Sequence, residues 1–281
     1  MGFKTGPDYN RIAAMPYKLI VSDLDGTFLT DKTEIPEKNI EAVRIINKKG
    51  VGFSFASGRS YHSLDYFYNA LSLKGQGVCG ISFNGAVVYE VDTLNAISKT
   101  LMDNATMLKL LNIMRPLLKD IYVYGYDGML YSEHETTNYT GYATRSRVPY
   151  KIINNLEEVT GDIIKVLLIQ EHEVLAKVHD TIKDFVPGRC NMFFSSKRML
   201  EFTGLNATKG NALKFLSEYL KIDIKDIIAV GDNFNDESMV KEAGLGIVTA
   251  NAVDSLKNCA GYVTNATNND GAIMEIAEKF L

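Results

Sequence analysis

Tyr17-Lys18-Leu19-Ile20-Val21-Ser22-Asp23-Leu24-Asp25-Gly26-Thr27 is the stretch on which the fold turns. An apolar, β-leaning run leads directly into two carboxylates at i and i+2, followed by a glycine and a hydroxyl. A strand buried inside a parallel sheet reads as such a continuous apolar run. Strand side chains at i and i+2 point the same way, although a strand ending at Asp23 leaves Asp25 in the loop beyond it. Ligands of open α/β sheets sit outside the carboxyl ends of the strands, so the run predicts two acids at the mouth of a sheet. Taken alone it also reads as an ordinary strand-to-turn junction, because Asp-Gly is a common turn pair.

Outward from this run, the chain repeats the pattern. Pro36 to Lys49 carries Ile40, Val43 and Ile46 at helical spacing and stops at Gly50, with proline near a helix start and glycine past its end. Val51–Ala56 reads as a second buried strand closing on Ser57-Gly58-Arg59, and 77–83 as a third ending at Asn84-Gly85. Three strands with helices between them predict a parallel sheet with right-handed crossovers. From about Val88 the character changes to hairpin-like and helical stretches, which predicts an α+β unit inserted into the first. The α/β rhythm returns beyond Gly204: Thr208 as N-cap of a helix 209–220, a strand 226–230 running into Gly231-Asp232-Asn233-Phe234-Asn235-Asp236, a strand 245–248 and a final helix 271–280. The expected organisation is a flexible tail at 1–16, a core at 17–86, an α+β cap at 87–203 and the rest of the core at 204–281.

Composition bounds the partners. The 281 residues carry a net charge of −4, which argues against a chain devoted to nucleic acid, since such chains usually show a basic excess. Cys79, Cys190 and Cys259 are scattered and odd in number, a usage that fits a reducing compartment and neither a disulfide framework nor a zinc site. The four histidines form no HxH or HxxxH cluster. No run approaches the about 18–20 apolar residues of a membrane helix, and residues 1–16 lack the apolar core of a secretory signal. A cytoplasmic protein with no membrane partner is therefore expected; its oligomeric state is not readable.

Four polar clusters fall at element boundaries: Asp23/Asp25, Ser57-Gly58-Arg59, Lys209, and Asp232 to Asp236. One parallel sheet would bring them to a shared edge. Three carboxylates gathered there repel one another unless a cation sits among them, and all-oxygen ligation by carboxylates is the preference of Mg²⁺. A serine hydroxyl, backbone N–H groups and a lysine charge complement phosphate oxygens.

Asp23-Leu24-Asp25-Gly26-Thr27, Ser57-Gly58-Arg59, Lys209-Gly210 and Gly231-Asp232-Asn233-Phe234-Asn235-Asp236, in this order, resemble the four motifs of the haloacid dehalogenase (HAD) superfamily. The likeness runs from Tyr17 to Leu281. The insert after the second motif, and the tail from Asn251-Ala252 to Asp270-Gly271-Ala272, resemble the Cof-type phosphatases with a C2 (type IIB) cap. The resemblance implies a Rossmann-like α/β core (the HAD fold) with an inserted α+β cap, and an enzyme hydrolysing a small phosphorylated metabolite: a sugar phosphate, a nucleotide such as FMN, or pyridoxal phosphate. It implies Asp23 as nucleophile and Asp25 as general acid and base. It places Mg²⁺ among the Asp23 carboxylate, the Asp25 backbone carbonyl and Asp232, with Asp236 completing the acidic site. It gives the phosphate to Ser57, the Gly58 amide, Lys209, Asn235 and the Leu24 backbone amide. An acid at Asp25 points to phosphatases and phosphomutases within the superfamily, so a phosphomutase is the competing enzyme. A non-enzymatic phospho-acceptor or metabolite-binding module is the competitor from another class. In the cap, His134, Arg145 and Arg147 are the candidate substrate contacts.

Overall fold

In the computed structural model, which describes residues 17–281, the opening run forms strand β1 (Leu19–Ser22), with every residue buried. The expected tail at 1–16 lies outside the described residues. Helix α1 (Glu37–Lys48) starts after Pro36 and buries Ala42, Val43 and Ile46. Strand β2 (Gly52–Phe55) follows, and α2 (Tyr61–Ala70) opens on Ser60, whose side chain accepts the Ser63 N–H. Next come β3 (Cys79–Ser82), β4 (Val87–Glu90) and β5 (Ala96–Lys99).

The chain then leaves the core for α3 (Asn104–Met114), β6 (Ile121–Tyr124), β7 (Leu130–Ser132), α4 (Thr137–Ser146), β8 (Tyr150–Ile152), β9 (Lys165–Ile169), α5 (His172–Ile182), β10 (Cys190–Ser196) and β11 (Met199–Gly204). It returns through α6 (Lys209–Leu220), β12 (Ile227–Gly231), α7 (Glu237–Glu242), β13 (Leu245–Val248), α8 (Asp254–Lys257), β14 (Tyr262–Val263) and α9 (Ala272–Phe280).

Among the described residues, the core sheet runs β14-β13-β12-β1-β2 with every pairing parallel. Alternation along β1 builds three layers. Ile20 joins the cluster that includes Val43 and Ile46 of α1 and Ile273 and Ile276 of α9, whereas Leu19 and Val21 pack with Leu213 and Leu216 of α6 and Met239 of α7. Each such buried side chain contributes about 1.5–3 kcal/mol. The strand order reverses between β1 and β12, which opens a crevice at their carboxyl ends, where open α/β sheets bind ligands.

The third strand departs from the expected parallel arrangement. β3 adjoins the core sheet through the single bridge Ala56↔Ile81 in place of a ladder, and pairs antiparallel with β4, which pairs with β5. Phe83, Asn84 and Gly85 all have positive φ, of 52°, 56° and 98°, and the turn over 83–86 brings the chain back on itself instead of into a crossover. Val87 and Tyr89 therefore pack in one cluster with Phe55 and Tyr68. The outgoing and returning chains run side by side, Leu101 O lying 2.4 Å from where a Gly204 Cβ would stand; just beyond, Met102 exchanges backbone hydrogen bonds of 2.9 Å in both directions with Ile163, ahead of β9.

The cap has its own six-stranded sheet, β10-β11-β9-β6-β7-β8. Ile121 and Val123 face α3 and α5, while Tyr122 and Tyr124 face the other side. There the Tyr124 ring meets Phe83 of the core, with centroids 4.8 Å apart. Helix α4 and strand β8 were not legible in the sequence; Tyr139, buried in α4, holds them together by donating to Leu130 O at 2.7 Å and accepting the Lys151 N–H at 3.0 Å.

Gly85 makes the closest approach between the turn after β3 and the start of α6. A Cβ there would stand 2.2 Å from Thr208 O, on a backbone with φ +98°. Gly85→Ala is expected to destabilise the fold by about 2 kcal/mol, from left-handed strain and the clash together. A chemical-denaturation midpoint equal to wild type would refute this.

Candidate active site

Asp23 directly follows β1, and its N–H still donates to Val230 O at 2.8 Å, so the sheet itself fixes its position. The chain then turns on Leu24 O, which accepts the N–H groups of Phe28 and Leu29. Gly26 has φ +80°, and a Cβ there would lie 2.5 Å from Asp232 Oδ2; only glycine allows the turn and the carboxylate to share that space. Thr27 Oγ1 donates to Asp232 Oδ1 at 2.7 Å. The Asn-rich tail holds the same turn from outside, with Asn251 Nδ2 donating to Gly26 O at 2.8 Å and Asn268 Nδ2 to Leu29 O at 2.9 Å.

Beyond β12, Asp236 sits in the short helical turn Phe234–Asp236, where its Oδ2 accepts the N–H groups of Asp232 at 2.9 Å and Asn233 at 3.0 Å. Lys209, the first residue of α6, is fully buried, and its Nζ donates to Asp23 Oδ1 at 2.5 Å and to Asp236 Oδ1 at 2.6 Å. Carboxylate oxygens of Asp23, Asp232 and Asp236 all lie within 4.8 Å of one another. The crevice thus assembles acids from two strand ends around one lysine.

The electrostatics follow from that crowding. Burial raises the Asp23 carboxyl well above the usual range, and Asp236 adds to the rise while Lys209 opposes it. Burial, then Asp236, pushes Asp232 up to about 6 against the Thr27 hydrogen bond. Burial works against the charge on Lys209, yet Asp23 and Asp236 outweigh it and hold the amine protonated above its ordinary value. One buried cation among three acids leaves an excess of negative charge, which desolvation makes expensive. Clustered hard oxygen donors with an unneutralised charge fit a divalent cation such as Mg²⁺.

A cavity of about 1110 Å³ opens above the crevice between core and cap, and Asp23, Asp25, Ser57, Gly58 and Asn235 line it. Leu24 is fully buried in the core and is not among the residues that line the cavity. The Asp25 carboxylate stands apart from the three clustered acids: Arg59 grips it through Nε at 2.8 Å and Nη2 at 2.6 Å. Of the cap candidates, Arg145 lines the cavity. Arg147 instead lays its guanidinium 4.3 Å from the centroid of the Tyr66 ring. His134 is exposed in the loop before α4 and is outside the cavity lining.

Three residues at the site were not singled out from sequence. Asn84, 4% exposed, donates its N–H to Ser57 O and accepts Asn235 Nδ2 at 3.1 Å, bracing both loops. Lys165 and Glu201 form a fully buried pair at 2.7 Å in the cap, with Lys165 Nζ also 3.4 Å from Gly58 O. A lysine inside a strong strand pattern and an asparagine before a glycine carry no chemical signal until the topology sets them opposite their partners.

Acids grouped at the switch point of a parallel sheet, beside a buried lysine and beneath an inserted lid, define the class of α/β hydrolases that act on anionic substrates. The model of the haloacid dehalogenase-like hydrolase family matches residues 20–276, and the chain belongs to that family. A haloacid dehalogenase-like hydrolase from Bacteroides thetaiotaomicron superposes with a TM-score of 0.84 at 27% identity, covering 94% of this chain and 100% of its own. The 5-amino-6-(5-phospho-D-ribitylamino)uracil phosphatase YitU of Bacillus subtilis is 26% identical over 94% of this chain and 98% of its own. The phosphoglycolate phosphatase of Methanobrevibacter smithii is 28% identical over 93% and 97%. The protein is an enzyme, a phosphatase of this family. Among the described residues no helix is long and apolar enough to cross a membrane.

Proposed function

We propose that this phosphatase hydrolyses a small phosphorylated metabolite through an aspartyl-phosphate on Asp23, with Mg²⁺ as cofactor. The observation that carries the reading is the buried contact of Lys209 with both Asp236 and Asp23, the last of which lines the cavity. Asp23, Asp232 and Asp236 would hold the cation, the Asp25 backbone carbonyl joining them as the family resemblance implies. When bound, Mg²⁺ would supply charge neutralisation between an anionic nucleophile and an anionic ester.

The chain's own groups account for the rest. An Asp23 oxygen attacks phosphorus and the bond to the leaving oxygen breaks, so the phosphoryl group passes to the carboxylate. Asp25, protonated, gives its proton to the departing alkoxide; it then takes a proton from the water that attacks phosphorus and frees Asp23. Ser57, the Gly58 amide, Lys209 and Asn235 are the donors for the phosphoryl oxygens, together with the Leu24 amide. The cap covers the cavity and limits the access of water. Phe193, Phe194, Tyr142 and Arg145 line the cavity from the cap side, a mixed surface suited to the organic part of a sugar phosphate, a nucleotide such as FMN, or pyridoxal phosphate. The two relatives named above are, by name, phosphatases of esters of very different size, which supports a reading in which the cap rather than the shared core selects the substrate.

Phosphate release from a panel of these esters tests the reading. Release is expected to need Mg²⁺, falling by about a hundredfold on chelation and returning when the ion is restored. The same addition is expected to raise the melting temperature of the free enzyme, because the ion relieves repulsion among the buried acids. Release that is indifferent to chelator, or absent from every ester with the protein folded, would overturn the proposal.

A further inference from the structure

Arg59 is the group that holds Asp25, and the way it does so is specific. Nε meets Oδ2 at 2.8 Å and Nη2 meets Oδ1 at 2.6 Å, so both carboxylate oxygens are engaged by one planar fork. The two residues come from different loops, one after β1 and the other after β2, and both line the cavity. Each is braced from behind. The Arg59 N–H donates to Ser57 Oγ at 3.2 Å, its carbonyl accepts the Phe83 N–H at 3.0 Å, and its guanidinium carbon lies 5.3 Å from the centroid of the Phe67 ring. The Asp25 backbone is held by its bridge to Leu29 and by the turn at Gly26. A bidentate guanidinium fixes the plane of a carboxylate as well as its position, which a point charge does not. An ionised carboxylate offers about four lone-pair positions; the fork takes two and leaves one on each oxygen for a proton.

We propose that Arg59 is a positioning residue that aims the Asp25 carboxyl at the leaving-group oxygen, so that proton transfer and cleavage of the phosphorus–oxygen bond coincide. This rests on the reading of Asp25 as general acid and base given above. The proton moves from Asp25 to the departing oxygen in the first step and from water to Asp25 in the second, and Arg59 loses none. The backbone N–H of the same arginine donates to Ser57 Oγ, so the loop that meets the phosphoryl group also sets the acid that meets the leaving group.

The test is a comparison of two esters of nearly the same shape whose leaving groups differ in basicity: p-nitrophenyl phosphate, whose phenoxide departs without a proton, and phenyl phosphate, whose phenoxide needs one. The quantity to measure is kcat/KM, which covers the steps through departure of the leaving group. Arg59→Lys keeps the charge and loses the fork; it is expected to lower kcat/KM about 30-fold for phenyl phosphate and about threefold for p-nitrophenyl phosphate. Arg59→Ala is expected to show the same contrast. Asp25→Asn is expected to discriminate more steeply, by about a hundredfold on phenyl phosphate. Adding Arg59→Lys to Asp25→Asn is expected to cost nothing further, because the two residues act as one unit. Equal losses on both esters in the Arg59 variants, alongside discrimination by Asp25→Asn, would assign Arg59 a merely structural role and overturn the proposal. Equal losses in Asp25→Asn would instead remove the general acid itself, and the proposal with it. A melting temperature for Arg59→Lys equal to wild type shows that the contrast is chemical.

Discussion

Asp23→Asn is expected to abolish phosphate release, with kcat falling by about ten-thousandfold or more, as for the loss of other enzymic nucleophiles. The amide has the shape of the carboxylate but neither its charge nor its nucleophilic oxygen. The surroundings predict that the variant stays folded. Burial and Asp236 both disfavour the ionised form of Asp23, so neutralising it removes an unfavourable term. Lys209 keeps its second partner, Asp236 Oδ1, at 2.6 Å. The expected result is therefore an inactive protein that melts at or above the wild-type temperature. Activity surviving in purified Asp23→Asn would place the nucleophile elsewhere, and Asp232, its neighbour in the acidic cluster, would be the next residue to test.

The parts of the fold that sequence pattern reached are those where one local signal suffices. Thr208 as cap and the apolar stripe through Leu213 and Leu216 specify α6, whose limits 209–220 match the expectation residue for residue. Strand β13 likewise has the predicted limits, because its flanks break the run cleanly. The pattern failed where tertiary context decides. The stretch 77–83 has the composition of a parallel strand, yet the left-handed run Phe83-Asn84-Gly85 turns it into an antiparallel unit. Helix α4 draws on Thr, Asn, Tyr and Gly, weak helix formers, and is held by packing of Tyr139 and Ala143.

The site divides the same way. Asp23, Asp232, Asp236 and Lys209 were legible because each ends or begins an element, and a parallel sheet brings such positions to one edge. The side-chain direction of Asp25 was not, because the loop beyond a strand has no fixed alternation; it turns to Arg59 instead of to the other acids. Cap residues were least legible. Arg145 and Arg147 stand two apart across the end of α4, where Arg147 adopts a left-handed conformation and swings to Tyr66 while Arg145 stays with the cavity.

Lys209→Met is expected to be the most destabilising single change at the site, and the comparison with Asp23→Asn shows why. Removing one acid relieves repulsion; removing the cation leaves Asp23, Asp232 and Asp236 crowded together with nothing opposing them. Loss of one partner from a buried ion pair costs about 3–5 kcal/mol, since the remaining charge stays desolvated and unpaired. Methionine fills the channel along which the lysine stem ran, so the loss is one of charge rather than volume. The burden falls unequally. Asp236 retains the Asp232 and Asn233 N–H groups on Oδ2, whereas Asp23 Oδ1 loses the lysine that held it. Neutralising Asp23 in the Lys209→Met background should therefore restore much of the stability, making the double variant more stable than the single one, with a coupling energy of about 1–3 kcal/mol. Denaturant unfolding of the four proteins measures this directly. Additive effects would mean that Lys209 and Asp23 do not share the buried charge, and the electrostatic account of the crevice would fall with them.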